Sequence, residues 1–305
     1  MVRIDDGFTA DRERFVQRQI GDIDVTVSGD AKDVLDDFAA LYAVNETCRE
    51  TLGPSIRMEV RMSRRTPFGR SRYTILGDGK ELFSDRRSLD VLPYLEWGIN
   101  CRVMERCTAY LQLHAATLSF EGQGVVLAGN SGVGKSTLAA GLVSRGWTYL
   151  SDEFALIHPA TLRLHPFPKA LCIKAGSFDV IKRLNLPLWR RRHYVKAFKG
   201  AVGYVRPQDF APGVVPTPCP IRFVIFPKYG NGEEPRLFPI SPGHACFSLA
   251  GHAFNRHVFD QRVVPILSEV VRRAECLGLV SGPIDETCKL IESLLSDAHS
   301  DCLVE

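Results

Sequence analysis

The stretch VVLAGNSGVGKSTLAAGLV, residues 125–143, decides the fold. Residues 125–128 are a short apolar run suited to a buried strand. Glycine takes backbone angles closed to other residues, so the N–H groups of Gly129, Asn130, Ser131, Gly132, Val133 and Gly134 can turn inward around an anion. Lys135 supplies a point charge for the outer phosphates, Ser136 a hydroxyl for the magnesium that travels with them, and Thr137 closes the motif. Leu138, Leu142 and Val143 then share one helical face, predicting a helix over 135–145 that stops at Gly146. Strand, glycine loop and helix N-terminus in that order form the context that a nucleotide-binding P-loop requires, and with it an α/β fold.

The flanks place other groups near this loop. Residues 110–120, a turn at 121–124 and residues 125–128 read as a hairpin that feeds it. Residues 147–151 read as a further strand. A right-handed β-α-β crossover makes this strand parallel to 125–128, so both carboxyl ends open at one edge, where ligands bind in open α/β sheets. Asp152 and Glu153 therefore emerge beside the loop, able to hold magnesium or accept a proton. A helix cap or turn acid is the plainer role for such a pair, and their position argues against it. If the hairpin turns about Gly122 and Gln123, facing residues sum to about 245, which sets His114 opposite Ser131. A one-residue slip would turn that side chain to the other face, so a phosphate-facing and a structural histidine both stay open.

Composition bounds the rest. The 305 residues suit one large or two modest domains, are 45% hydrophobic and 24% charged, and carry a net charge of +3. That charge argues for neither nucleic acid nor membrane as a partner, although residues 190–193 (RRRH) form a basic run that is either a solvated turn or a phosphate-facing patch. No apolar stretch approaches bilayer length, and the first residues lack the apolar core of a signal peptide. Nine cysteines without a Cys-x-x-Cys pair indicate reduced thiols and a cytoplasmic protein. Helical patterns are expected at 32–43 and 88–111, with strands at 56–62 and 72–76 joined by a polar turn at 64–70. Residues 1–108 are thus expected to form a smaller mixed α/β domain and residues 109–305 a catalytic domain, with a strong strand at 221–226 and helices near 262–276 and 284–297.

Residues 114–153, HAATLSFEGQGVVLAGNSGVGKSTLAAGLVSRGWTYLSDE, closely resemble the core of the HPr kinase/phosphorylases: a His-led strand, a P-loop, then Arg-Gly-aromatic-x-x-x-x-Asp-acid. The blocks EWGIN (96–100), PKALCIKAGSFDVI (168–181), KGAVGYVRP (199–207), FVIFPKYG (223–230) and HAFN (252–255) resemble the HPr kinase-related kinases called branch A. The resemblance implies a P-loop kinase fold akin to phosphoenolpyruvate carboxykinase, with ATP and Mg2+ as cofactors and phosphoryl transfer to a hydroxyl. It gives Asp152 the part of the base, Glu153 that of a magnesium ligand with Ser136, and His114 a place beside the acid pair. Two departures stand out. Thr137 replaces a Glu common in true HPr kinases, and the Glu-x-Arg-Gly-x-Gly stretch tied to phosphorolysis is absent, residues 171–176 reading LCIKAG.

The expectation is a kinase that uses Asp152, His114 and Lys135 in catalysis and does not run efficiently backwards. Its acceptor is a hydroxyl on a peptide, a small protein or a small molecule. Lys174, Arg206 and Asn255 are candidate substrate contacts, with Lys228 and His252 behind them. A nucleotide-binding sensor or scaffold without transfer is the alternative, and intact Lys135, Ser136 and Asp152 weigh against it. A GTPase switch is disfavoured because no Asn-Lys-x-Asp occurs. Self-association into a homo-oligomer is left open.

Overall fold

The computed structural model describes residues 14–42, 53–64, 70–189, 194–196, 200–230 and 232–301. The basic run at 190–193, most of the turn at 64–70 and the first residues lie outside the described residues. Strands β1 (Arg14–Ile20), β2 (Ile23–Gly29), β3 (Ser55–Arg64), β4 (Ser71–Gly77) and β5 (Lys80–Arg86) form a five-stranded sheet in chain order. Only β2 and β3 pair in parallel, and α1 (Lys32–Leu41) lies in their crossover. Helix α2 (Ser88–Arg106) buries Leu92, Leu95, Ile99 and Val103, four of the five residues that its spacing puts on one face, while the fifth, Met104, is partly buried. It ends five residues earlier than the pattern suggests, because Leu111 already begins the next strand.

That strand is β6 (Leu111–Phe120), followed by β7 (Gln123–Ala128), α3 (Lys135–Val143), β8 (Thr148–Ser151), β9 (Phe154–Ile157) and β10 (Arg163–His165). Next come β11 (Leu171–Lys174), α4 (Phe178–Arg183), β12 (Tyr194–Lys196), β13 (Gly200–Val205) and α5 (Pro207–Phe210). The chain then runs through β14 (Cys219–Tyr229), β15 (Arg236–Pro239), α6 (Pro242–Gly251), α7 (Arg256–Phe259), α8 (Val263–Arg273), β16 (Glu275–Ser281) and α9 (Ile284–Asp301). The main sheet has the order β10-β9-β6-β7-β14-β16-β15, with β8 also on β6, while β11, β13 and β12 make a small antiparallel sheet. No helix among the described residues is long and apolar enough to cross a membrane.

The β7 run is apolar throughout because both its faces are buried. Val125 and Leu127 enter a core shared with α3 and α9, whereas Val126 and Ala128 enter one shared with α6 and α8. Each of the valine and leucine side chains contributes about 1.5–3 kcal/mol when fully buried. Strands β7, β14 and β16 are parallel neighbours. Strands β7 and β8 do point the same way, but β6 lies between them, antiparallel to both.

The hairpin register departs from the expected one. Ala115 faces Ala128 and Phe120 faces Gln123, a sum of 243. The two-residue turn is Glu121–Gly122, with φ of 48° and 76°, the left-handed pair that a tight hairpin of native twist demands. The two-residue difference keeps each side chain on the expected face, but His114 does not stand opposite Ser131: it pairs with Phe154 of β9. Beyond the end of β7, residues 252–255 take its place beside β6, through an antiparallel bridge from Leu113 to Ala253 and a bond from His114 N to His252 O at 2.9 Å.

Asn255 closes that junction, and the structure corrects its expected role as a substrate contact. It is fully buried; its Oδ1 accepts from Gln112 N at 3.0 Å and its Nδ2 donates to Tyr110 O at 2.9 Å. A side chain that substitutes for a strand in this way holds the fold. Asn255→Ala leaves a buried backbone N–H and C=O unmatched and should cost about 2–4 kcal/mol, read as a lower urea midpoint at unchanged slope. An unfolding midpoint equal to wild type would contradict this role.

Candidate active site

The phosphate loop lies between β7 and α3. Gly132 and Gly134 have φ of 97° and 96°, and a Cβ at either would meet nothing within 4 Å, so backbone conformation and not crowding selects glycine there. Val133 turns inward onto Gly129, while Asn130 and Ser131 form the outer rim. Lys135 is only 6% exposed, and its ammonium donates to Gly129 O at 2.6 Å and Asn130 O at 3.0 Å. Thr137, one turn into α3, shares a 2.7 Å hydroxyl contact with Ser177. That contact fastens the start of α3 to the turn after β11.

The acid pair sits at the carboxyl end of β8, where a buried serine shapes the turn. Ser151 Oγ accepts from Phe154 N at 3.1 Å and Glu153 N at 3.4 Å, so the chain reverses into β9 with Asp152 and Glu153 at the bend. Burial raises the Asp152 carboxyl to about 7, Glu153 adds to the rise, and Ser136, Lys135 and Lys169 pull the other way. Its Oδ1 is buried and has no hydrogen-bond partner among the described residues. His114 lies at the same cleft with its ring 6.4 Å from His252 and 5.5 Å from Phe254. Burial, then Lys135, keeps the His252 imidazole below its ordinary range.

These groups open on one cleft enclosing about 740 Å³ of space continuous with solvent. Ser131, Gly132, Gly134, Lys135, Ser136 and Thr137 form its loop side, and Asp152, Glu153 and His114 also line it. The third wall is the small sheet, with Cys172, Lys174 and Lys196. Lys174, a candidate substrate contact, is among the lining residues. Lys196 was not foreseen, because a lone lysine beside a short strand carries no pattern of its own. Burial disfavours its charge, but Cys172, Glu96, Glu153 and Asp152 outweigh that and hold its ammonium above the ordinary range. Burial pushes the Cys172 thiol up to about 12, which leaves it too little thiolate to act as a nucleophile.

Arg206 is a second correction. Its guanidinium forks onto Asp209 at 2.8 and 2.6 Å and reaches Ala40 O at 3.4 Å, tying α5 to α1 away from the cleft lining. Lys228 is exposed near the end of β14 and also lies off the lining.

Ser136, Asp152 and Glu153 offer hard oxygen ligands, and the unmatched Oδ1 is an atom that a cation or proton would satisfy. Among the described residues no group of three or more His, Cys, Asp or Glu could hold a metal on its own. The fit is therefore to an ion such as magnesium, which binds through one or two carboxylates together with phosphate oxygens and water.

The cleft thus sets a glycine-rich loop on a mixed α/β sheet opposite an acid pair. The family model described as "ScmC: SynChlorMet cassette protein ScmC" matches residues 98–184. The HPr kinase/phosphorylase of Chlorobium phaeobacteroides is 36% identical over 80 residues, 26% of this chain and 24% of its own length. The chain thus spans about a quarter of the curated relative it matches. The solved Hpr(Ser) kinase/phosphatase from Coxiella burnetii is similar over 63% of this chain and 92% of its own, at 14% identity and a TM-score of 0.32. Over those 80 residues the chain is similar in sequence to an HPr kinase/phosphorylase, and its own fold is a mixed α/β sheet that carries the glycine-rich loop at the end of β7.

The raised carboxyl makes a stability prediction. Folded Asp152 holds its proton up to about 7, against 3.8 for the free group, so its contribution is complete below pH 4 and is lost as pH rises through 7. In protein free of nucleotide and metal, Asp152→Asn should match wild type near pH 4 and exceed it at pH 8 by a few kcal/mol, about what such a shift is worth. Thermal unfolding across that range reads the difference; curves that stay parallel would contradict the shift.

Proposed function

We propose that the chain is an ATP- and magnesium-dependent kinase that transfers the γ-phosphoryl group to a hydroxyl on a peptide, small protein or small molecule. The observation that carries this reading is a buried carboxyl, raised to about 7, in the same cleft as a P-loop lysine. A base titrating near neutrality is matched to taking a hydroxyl proton. In the loose transition state of phosphoryl transfer, the protein mainly positions groups and offsets charge.

The residues divide the work as follows. Loop amides and Lys135 hold the donor's outer phosphates, and the ammonium exchanges its bonds to Gly129 and Asn130 for phosphate oxygens. Ser136 and Glu153 would hold a magnesium ion, which would neutralise phosphate charge. Asp152 Oδ1 orients the acceptor hydroxyl and takes its proton late. His114 flanks the acid pair and tunes it. The absence of a Glu-x-Arg-Gly-x-Gly stretch in residues 171–176 favours the forward direction over phosphorolysis.

The experiment follows label from γ-32P ATP into an extract of host peptides and metabolites, and in parallel the slow release to water. Asp152→Asn should lower turnover by about 10²–10⁴, while ATP affinity changes little because the loop is intact. Lys135→Ala should weaken ATP about tenfold to a hundredfold by calorimetry, the loss of one charge-assisted contact. Wild-type transfer by Asp152→Asn would move the base elsewhere. Equal ATP affinity in Lys135→Ala would remove the loop from the nucleotide site.

A further inference from the structure

The P-loop and its lysine serve the donor, which leaves the cations of the third wall without a function. Lys174 on β11 and Lys196 on β12 flank β13, where Lys174 pairs with Val202 and Lys196 with Gly200. In a pleated sheet, Cys172, Lys174, Val202 and Lys196 then share one face. Two strand spacings and one two-residue step separate the lysine Cα atoms by roughly 12 Å, so two long side chains can converge on one small anion across Val202 and Gly200. Both lysines are partly buried and line the cleft, and the acidic groups that act on Lys196 do so electrostatically, not through a hydrogen bond or ion pair among the described residues. Ammonium groups that keep donors free on one face of a cleft can meet an anion there with charge-assisted hydrogen bonds.

The surroundings hold Lys196 in place. Glu96 of α2 is 2% exposed, accepts a hydrogen bond from the Tyr42 hydroxyl, and acts electrostatically on Lys196. The Thr137–Ser177 contact fixes the other end of the small sheet to the phosphate loop.

We infer that Lys174 and Lys196 form an anion-binding wall for the acceptor, so that the hydroxyl substrate carries a carboxylate or phosphate close to its reacting oxygen. This rests on the kinase reading of the cleft. It narrows the acceptor to acidic hydroxy compounds, such as a hydroxy acid or a peptide residue next to an anionic group.

The test uses the full chain with its nucleotide site filled by Mg·AMP-PNP, whose γ-phosphoryl is not transferred, and inorganic phosphate as the probe anion, followed by calorimetry. Phosphate should bind this complex. Lys174→Gln and Lys196→Gln should each weaken phosphate about tenfold or more, with AMP-PNP affinity little changed and Lys196→Arg restoring binding. No phosphate binding to the wild-type complex, or undiminished binding in both Gln variants, would overturn the inference. So would phosphate that binds beside Mg·ADP but not beside Mg·AMP-PNP, since the lysines would then serve the donor's γ position. Failure of AMP-PNP to bind wild type contradicts the kinase reading instead. In that event phosphate titration of Lys135→Ala protein, compared with the same protein carrying Lys196→Gln, still reads the wall by itself: tenfold weakening upholds it and equal binding refutes it.

Discussion

Burial and the neighbouring Glu153 both oppose the negative charge on Asp152, and Ser136, Lys135 and Lys169 only partly offset them. Such a carboxyl costs folding energy when ionised, so the surrounding elements must hold it against relaxation. Ser151 shapes the bend, β6 separates β8 from β7, and the loop delivers Lys135 to the same cleft. Each of these depends on the parallel core of β7, β14 and β16, whose two buried faces fix where the loop begins.

The N-terminal sheet is joined to this centre by more than a linker. Its core under α2 continues into Phe154, Leu156, Phe167, Tyr194, Val202 and Tyr204. Two of those residues belong to the strand that follows the acid pair, and three to the small sheet that carries Lys196. Tyr194 hydroxyl also donates to Asp37 of α1 at 2.9 Å, and Arg206 reaches the carbonyl of Ala40. The position of the third wall of the cleft is therefore set from the N-terminal side.

Much of this was legible beforehand, for identifiable reasons. The β7–loop–α3 unit declares itself through an apolar run, glycines and an amphipathic face, which are local signals. Asp152 and Glu153 followed from the direction of one crossover. The hairpin register was missed by two residues because a left-handed Glu at position 121 is not a glycine-like signal. Strand β16 has no counterpart in the sequence reading, and the helix expected near 262–276 runs over its first two residues, Glu275 and Cys276. Asn255, Arg206 and Lys196 were beyond local reading: their roles are set by Gln112, Ala40 and Glu96, which are 143, 166 and 100 positions away.

The charge state of Asp152 tests the account most directly. Carbon-13 NMR of labelled aspartate, assigned by the signal lost in Asp152→Asn, follows that carboxyl through a pH titration of the nucleotide-free, metal-free protein. A midpoint near 7, falling when Mg·AMP-PNP is added, is the expected result. A midpoint in the ordinary carboxylate range near 4 would mean that burial does not govern this group, and the case for Asp152 as the base would lose its physical ground.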